Sequence, residues 1–256
     1  MIKKNNIKIV VLVNCIHGFT QIAIDSYIKS VGDVNKINIS YSGQNDDHFL
    51  WLIRRYKNVV RNPSATCISH MQYLFKQFVE EDYDFLMLLH DDDYIEGNYL
   101  EDIFYNVDLK SNKNYTSQEG IIKRGSKYKF RVEKLAGEAS HYLLYIMYFL
   151  NRHYVCFPNI IYCDKTIQKL NFNERFGKYD DIGIVEQVIL HGLEFIPIEG
   201  FFYRIHSGQD SAQRDACNVS LKRKYLKNRI FKNFLKYLSI KCIFIIYAKM
   251  VKRKIS

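Results

Sequence analysis

Three places in the chain gather side chains that could do chemistry. His90-Asp91-Asp92-Asp93 sets three consecutive carboxylates directly behind the apolar run Phe85 to Leu89. Tyr179-Asp180-Asp181 opens an apolar helix pattern, and Phe202-Tyr203-Arg204-Ile205-His206-Ser207 is followed by Gln209 and Ser211. Like charges at close range raise each other's pKa, so three adjacent carboxylates after a buried strand are costly unless a cation lies among them. Mg2+ or Mn2+ suits such a place, because these ions take carboxylate and water oxygens and bridge protein carboxylates to phosphates. The plain alternative is a solvated acidic loop that caps the helix starting near Asn98. For Asp180 and Asp181 it is a helix N-terminus favoured by the dipole. For Arg204 and His206 it is a structural role.

The elements that must position these residues follow from periodicity. Ile7 to Asn14 (IKIVVLVN) is a β-branched run of the kind buried on both faces of a parallel sheet. Phe19 to Val31 has helical spacing, with Gly32 where a C-terminal cap belongs. Ile37 to Tyr41 predicts a second strand that runs into the turn-forming loop Ser42 to Asp47. A short helix over Phe49 to Tyr56, a short strand over Asn58 to Val60 and an amphipathic helix over Ile68 to Val79 lead into Phe85 to Leu89, the strongest strand signal. Such alternation implies a doubly wound α/β sheet. Ligands of these sheets bind beyond the carboxyl ends of the strands, where Asn14, the Ser42 loop and the acidic turn would sit.

Polar Lys110 to Lys134 reads as a long excursion between two halves. Leu135 to Leu150 is expected as a helix, Pro158 to Tyr162 as a strand, Ile182 to His191 as a helix closed by Gly192, and Phe195 to Ile198 as a last strand.

Tyr83 to Leu100 resembles the DxD region of family-2 glycosyltransferases with the GT-A fold: a hydrophobic strand, an acidic turn, then an apolar-x-x-x-Tyr-Leu helix start. In that resemblance Asp92 matches the metal-binding aspartate and Asp93 its acidic follower. His90 falls where the first Asp usually stands, and Asp91 could serve instead. Asp181 matches the second member of the family's acidic pair, the general base on the acceptor hydroxyl. Phe202 to Ser211 resembles the late Y-R-x-H-x-x-x-x-S motif, which makes His206 a third metal ligand or phosphate contact and Arg204 a diphosphate contact or a holder of the closing loop. Asn14 at the first strand end and Ser42 or Asp46 in the loop after the second stand where the family meets the nucleotide.

The resemblance spans Ile7 to Ser211. It implies a GT-A (Rossmann-like), mostly parallel central sheet flanked by helices. It also implies a Mn2+- or Mg2+-dependent, inverting transfer from a nucleotide-diphosphate sugar donor to a glycan or lipid-linked acceptor, as in surface-polysaccharide synthesis. The expected organisation is one domain over 1–220, with a nucleotide-sugar half at 1–109 and an acceptor half at 135–220, followed by a tail at 221–256.

The bulk composition agrees. A chain of 256 residues with 48% hydrophobic residues buries a full core without staples. The six cysteines show neither a C-x-x-C pair nor zinc spacing, as expected for free thiols in a reducing cytosol. The start, Met1 to Asn6, is polar and basic and does not read as a signal peptide. The net charge of +10 sits in the tail: from Leu221 to Ser256 there are 12 Lys/Arg and no Asp/Glu, leaving 25 basic against 27 acidic residues before it. A near-neutral body argues against nucleic-acid binding. Ile230, Phe231, Phe234, Leu235, Leu238, Cys242 and Ile245 recur at helical spacing among lysines, a basic amphipathic pattern suited to an anionic membrane surface. A packed terminal helix with a solvated basic face is the other reading. The expected location is cytoplasmic, peripheral on the inner face of the cell membrane. A sugar nucleotidyltransferase and a non-catalytic nucleotide-sugar-binding module are the competing functions; the first is disfavoured because Asn14 to Thr20 has only Gly18.

Overall fold

The structure, a computed structural model, describes residues 7–62, 64, 66–107, 111–123, 125–130, 157–172 and 180–206. The helix expected over Leu135 to Leu150, Tyr179, Ser207 to Ser211 and the tail from Leu221 lie outside these residues.

The expected strand-helix alternation is present in the first hundred residues. β1 (Ile7–Val13) and β2 (Ile37–Tyr41) flank α1 (Thr20–Val31), and α2 (Asp46–Arg55) joins β2 to β3 (Val59–Arg61). α3 (Cys67–Val79) leads to β4 (Phe85–His90), after which come β5 (Tyr94–Ile95) and α4 (Tyr99–Asn106). These helices start and stop where local chemistry says they should. Gly32 ends α1 at φ 67°, a left-handed conformation that costs glycine no Cβ clash. Thr66 and Ser69 exchange hydrogen bonds in a capping box at the start of α3.

β3, β2, β1 and β4 pair in parallel in that order. Beyond β4 the sheet turns mixed. β8 (Ile160–Cys163) is antiparallel to β4 and to β6 (Asn114–Lys123), while β9 (Leu193–Ile205) runs parallel to β6 and antiparallel to β5. β7 (Ser126–Phe130) completes a hairpin on β6. Short α5 (Asp164–Ile167) follows β8, and α6 (Asp180–Leu190) precedes β9. Among the described residues, no helix is long and apolar enough to cross a membrane.

Residues of β4 alternate between two cores. Phe85, Met87 and Leu89 point to the side of α1 and α4, and Leu86 and Leu88 to the side of α3 and α6. All five are buried, and each contributes about 2 kcal/mol of apolar transfer. Burial of both faces makes β4 a rigid arm for the acidic turn at its end.

The expected excursion over Lys110 to Lys134 is instead partly the β6–β7 hairpin. β6 is buried although polar: Asn114, Thr116, Ser117 and Glu119 are all inside. Asn114 Nδ2 donates to Thr166 Oγ1 (3.0 Å), and the others meet Asn159, whose amide nitrogen donates to the Ser117 carbonyl (3.0 Å) and Glu119 Oε1 (3.1 Å). Its oxygen accepts from Tyr99 Oη (2.6 Å) and Ser117 Oγ (2.8 Å). A polar network hides a strand from hydrophobic patterning. The last strand is also longer than expected, since β9 runs on to Ile205 as neighbour of β6 and so brings Arg204 back to the acidic turn.

Candidate metal centre

α1 fixes the acidic turn through three side chains a turn or less apart. Tyr27 Oη donates to the His90 carbonyl (2.6 Å), Ser26 Oγ accepts from Ile95 N (3.2 Å), and Ser30 Oγ accepts from Leu100 N (2.9 Å). The last caps α4 from outside, where its own Asn98 makes no side-chain cap. The turn between β4 and α4 is therefore held on both sides.

Within it the residues do different work. Asp93 is fully buried; its Oδ1 accepts from Arg204 N (3.1 Å), while its Oδ2 has no hydrogen-bond partner. Burial, with Asp92 adding repulsion, lifts the Asp93 carboxyl well above the ordinary range. His90 Nε2 is likewise buried without a partner. Ligand atoms of His90, Asp92 and Asp93 lie within 4.8 Å of one another. A buried carboxylate oxygen and a buried imidazole nitrogen that bond nothing are costly, and a divalent cation between them would satisfy both. One imidazole and two carboxylates fit Mn2+ or Mg2+, the imidazole favouring the former.

Around this trio lies a cationic and aromatic cluster. His206 Nε2 is 3.0 Å from Asp92 Oδ2, and Arg204 Nε donates to the Asp92 carbonyl (2.9 Å). The Arg204 guanidinium lies over the Phe19 ring at 4.4 Å, and the His206 ring meets Phe19 at 5.1 Å and His17 at 5.6 Å. His17 Nε2 approaches Asp91 Oδ2 at 3.5 Å. The Asp91 carboxylate raises the His17 pKa, whereas burial raises that of Asp91 itself.

Asp91, Asp92, Asp93, Arg204 and His206 thus lie in one place. His90 joins the trio in ligand geometry, and His206 reaches Asp92 from the end of β9. Asn14 and Ser42 meet at the neighbouring strand ends, where Ser42 Oγ donates to Asn14 Oδ1 (3.4 Å) and Ser42 N to the Val13 carbonyl (2.8 Å). Gly43 is needed beside them, since a Cβ there would stand 2.1 Å from the Asn14 carbonyl oxygen. Asp46 faces solvent and pairs with Arg61 at 2.5 Å.

Asp181 lies in the first turn of α6, with Oδ1 accepting from Ile182 N (2.8 Å). Burial first, and then the Asp181 charge, raise the Tyr162 phenol well above its ordinary value. Tyr162 Oη donates to the Phe157 carbonyl (3.3 Å), and the Phe157 ring meets His90 at 6.1 Å.

Sequence reasoning missed His17, Thr20 and Phe19. Their loop follows β1 at the carboxyl edge of the sheet, which was the available signal.

No protein-family model matches the sequence, and no curated protein matches it significantly. Solved structures do match in shape. S. aureus TarS 1-349 in complex with UDP-GlcNAc superposes with a TM-score of 0.61 at 12% identity, covering 92% of this chain and 77% of that one. The UDP complex of the same fragment gives 0.56 at 12% identity over 92% and 76% of the two chains. A structure of S. aureus TarS gives 0.58 at 12% identity, over 92% of this chain and 46% of the other. At such identity the likeness establishes the fold: a GT-A-type α/β architecture with a mixed central sheet flanked by helices.

Proposed function

We propose that the protein is an inverting, metal-dependent glycosyltransferase of the family-2 type. It would move a sugar from a nucleotide-diphosphate donor to a hydroxyl of a glycan or lipid-linked acceptor, in the assembly of a surface polysaccharide. One observation carries the reading: His90 Nε2 and Asp93 Oδ2 are buried without partners beside Asp92, at the carboxyl end of β4. The fold is one that in S. aureus TarS holds UDP-GlcNAc, which makes a uridine donor the first to try.

His90, Asp92 and Asp93 would hold Mn2+ or Mg2+, with His206 bearing on Asp92 from β9. The bound cation supplies Lewis-acid neutralisation of the charge that develops on the diphosphate leaving group. Arg204, stacked on Phe19 and held by the Asp92 carbonyl, adds fixed positive charge at the same place. Asn14 and Ser42 line the nucleoside side, with Asp46 and Arg61 at its outer rim. Asp181 takes the proton from the acceptor hydroxyl as that oxygen attacks the sugar carbon, and single displacement inverts it. Residues 1–109 form the donor half and 135–220 the acceptor half. The basic tail, 221–256, would lie on the anionic inner face of the cell membrane.

Release of UDP from UDP-sugars with Mn2+, with and without acceptor glycans, tests this. Asp181→Asn should keep UDP binding and lose transfer by about two to four orders of magnitude. Full transfer by that variant would remove Asp181 as the base.

A further inference from the structure

The backbone of the loop Ile16 to Thr20 is held by four hydrogen bonds, three of them within the loop. Ile16 N donates to His48 Nδ1 (3.2 Å), His17 N to Thr20 Oγ1 (3.1 Å), Phe19 N to His17 Nδ1 (3.2 Å) and Thr20 N to the His17 carbonyl (3.1 Å). Because His17 Nδ1 accepts, the ring proton resides on Nε2, the nitrogen that faces Asp91. Thr20 is fully buried, and its hydroxyl also points at Asp91 Oδ2, at 3.5 Å. Two donors that follow β1 thus converge on a single carboxylate oxygen just beyond the end of the neighbouring β4. Asp91 stands outside the trio whose ligand atoms suit a cation. Its neighbours in sequence face the metal side, while it faces the loop.

We propose that Asp91 is a positioning residue: through His17 and Thr20 it latches the β1–α1 loop to the metal turn. The nucleoside-facing edge at Asn14 and the cation-facing edge at Asp92 are then presented to one nucleoside diphosphate at a fixed separation. This rests on the donor-site reading above. Phe19 belongs to the same device, since the latched loop sets the ring on which Arg204 and His206 pack. Asp91 carries out this task without touching the cation.

The test measures UDP affinity with Mn2+ by calorimetry, Mn2+ affinity alone by electron paramagnetic resonance, and amide exchange over residues 14–20. Asp91→Asn and His17→Phe, which keeps the ring contacts, should each weaken UDP about tenfold, equivalent to about 1.4 kcal/mol. Mn2+ affinity should stay within about twofold, loop exchange should quicken, and the double variant should be no worse than either single. His17→Gln, which restores an N–H donor, should recover part of the loss. Mn2+ affinity falling in step with UDP in Asp91→Asn would make Asp91 a cation ligand and overturn the latch. So would UDP losses that multiply in the double variant, or unchanged UDP affinity. A wild-type protein that binds no UDP would refute the donor-site reading itself and the latch with it, an outcome told apart because no variant is then needed to see it.

Discussion

Lowering the pH should destabilise the protein through His70 by an amount the structure sets. His70 lies on α3 under the metal turn, 2% exposed, with Nε2 2.7 Å from Ser40 Oγ. Burial, and secondarily His90, lower its pKa from 6.5 to about 4. In the unfolded chain the ring regains its ordinary value, so between those two values the unfolded state binds more protons than the folded one. The stability of the neutral, buried ring is therefore intact above the unfolded value and is lost as pH falls towards the folded one. From the two pKa values the loss reaches about 2 kcal/mol near pH 5 and levels off at about 3 kcal/mol below the folded value. Carboxylates titrate over part of the same range, so the comparison is with His70→Gln, which can keep a bond to Ser40 but has no charge to gain. Urea unfolding of both proteins at about pH 7.5 and about pH 5 gives the difference directly. The wild type should lose about 2 kcal/mol more than the variant. Equal losses would mean that the layer beneath His90 is wet or that His70 charges without cost.

Two other substitutions probe the scaffold. Gly43→Ala drives a Cβ into the Asn14 carbonyl and the Tyr41 hydroxyl, at 2.1 and 2.4 Å. It should displace the strand ends, cost about 1–3 kcal/mol in thermal or urea unfolding, and weaken UDP binding by calorimetry. Asn159→Ala removes the bonds that the hydroxyls of Tyr99 and Ser117 and the Glu119 carboxylate make to a buried amide. It should cost about 3 kcal/mol or more in chemical denaturation, and a cost below about 1 kcal/mol would show that water replaces the amide.

What could be read from the chain, and what could not, divides along physical lines. β1 and β4 announce themselves because both faces are buried, which leaves unbroken apolar runs, and Gly32 marks the end of α1 by its left-handed backbone. β6 is hidden for the opposite reason: its buried side chains are Asn, Thr, Ser and Glu, stable inside because Asn159 and Thr166, distant in sequence, complete their hydrogen bonds. The antiparallel pairings of β7 and β8 with β6 depend on that strand, so they were equally unreadable. At the site, the acidic turn was legible from residue type and its place behind an apolar run, and Arg204 only through the resemblance of its motif. His90 was legible as a departure from a pattern, whereas its role depends on a nitrogen that the fold leaves unbonded. His17 and Thr20 were marked only by their place after β1, because their convergence on Asp91 exists only once α1 is packed against β4.

On the proposed function, His90, Asp92 and Asp93 hold a divalent cation where a nucleoside diphosphate binds. Titration of Mn2+ followed by electron paramagnetic resonance, with and without UDP, on the wild type and Asp92→Ala tests it most directly. The expected result is one tight site in the wild type, strengthened by UDP and nitrogen-coupled through His90, and loss of that site in the variant by at least about a hundredfold in affinity, or about 2.8 kcal/mol. Equal Mn2+ binding by the two proteins, with UDP affinity indifferent to the metal, would contradict it.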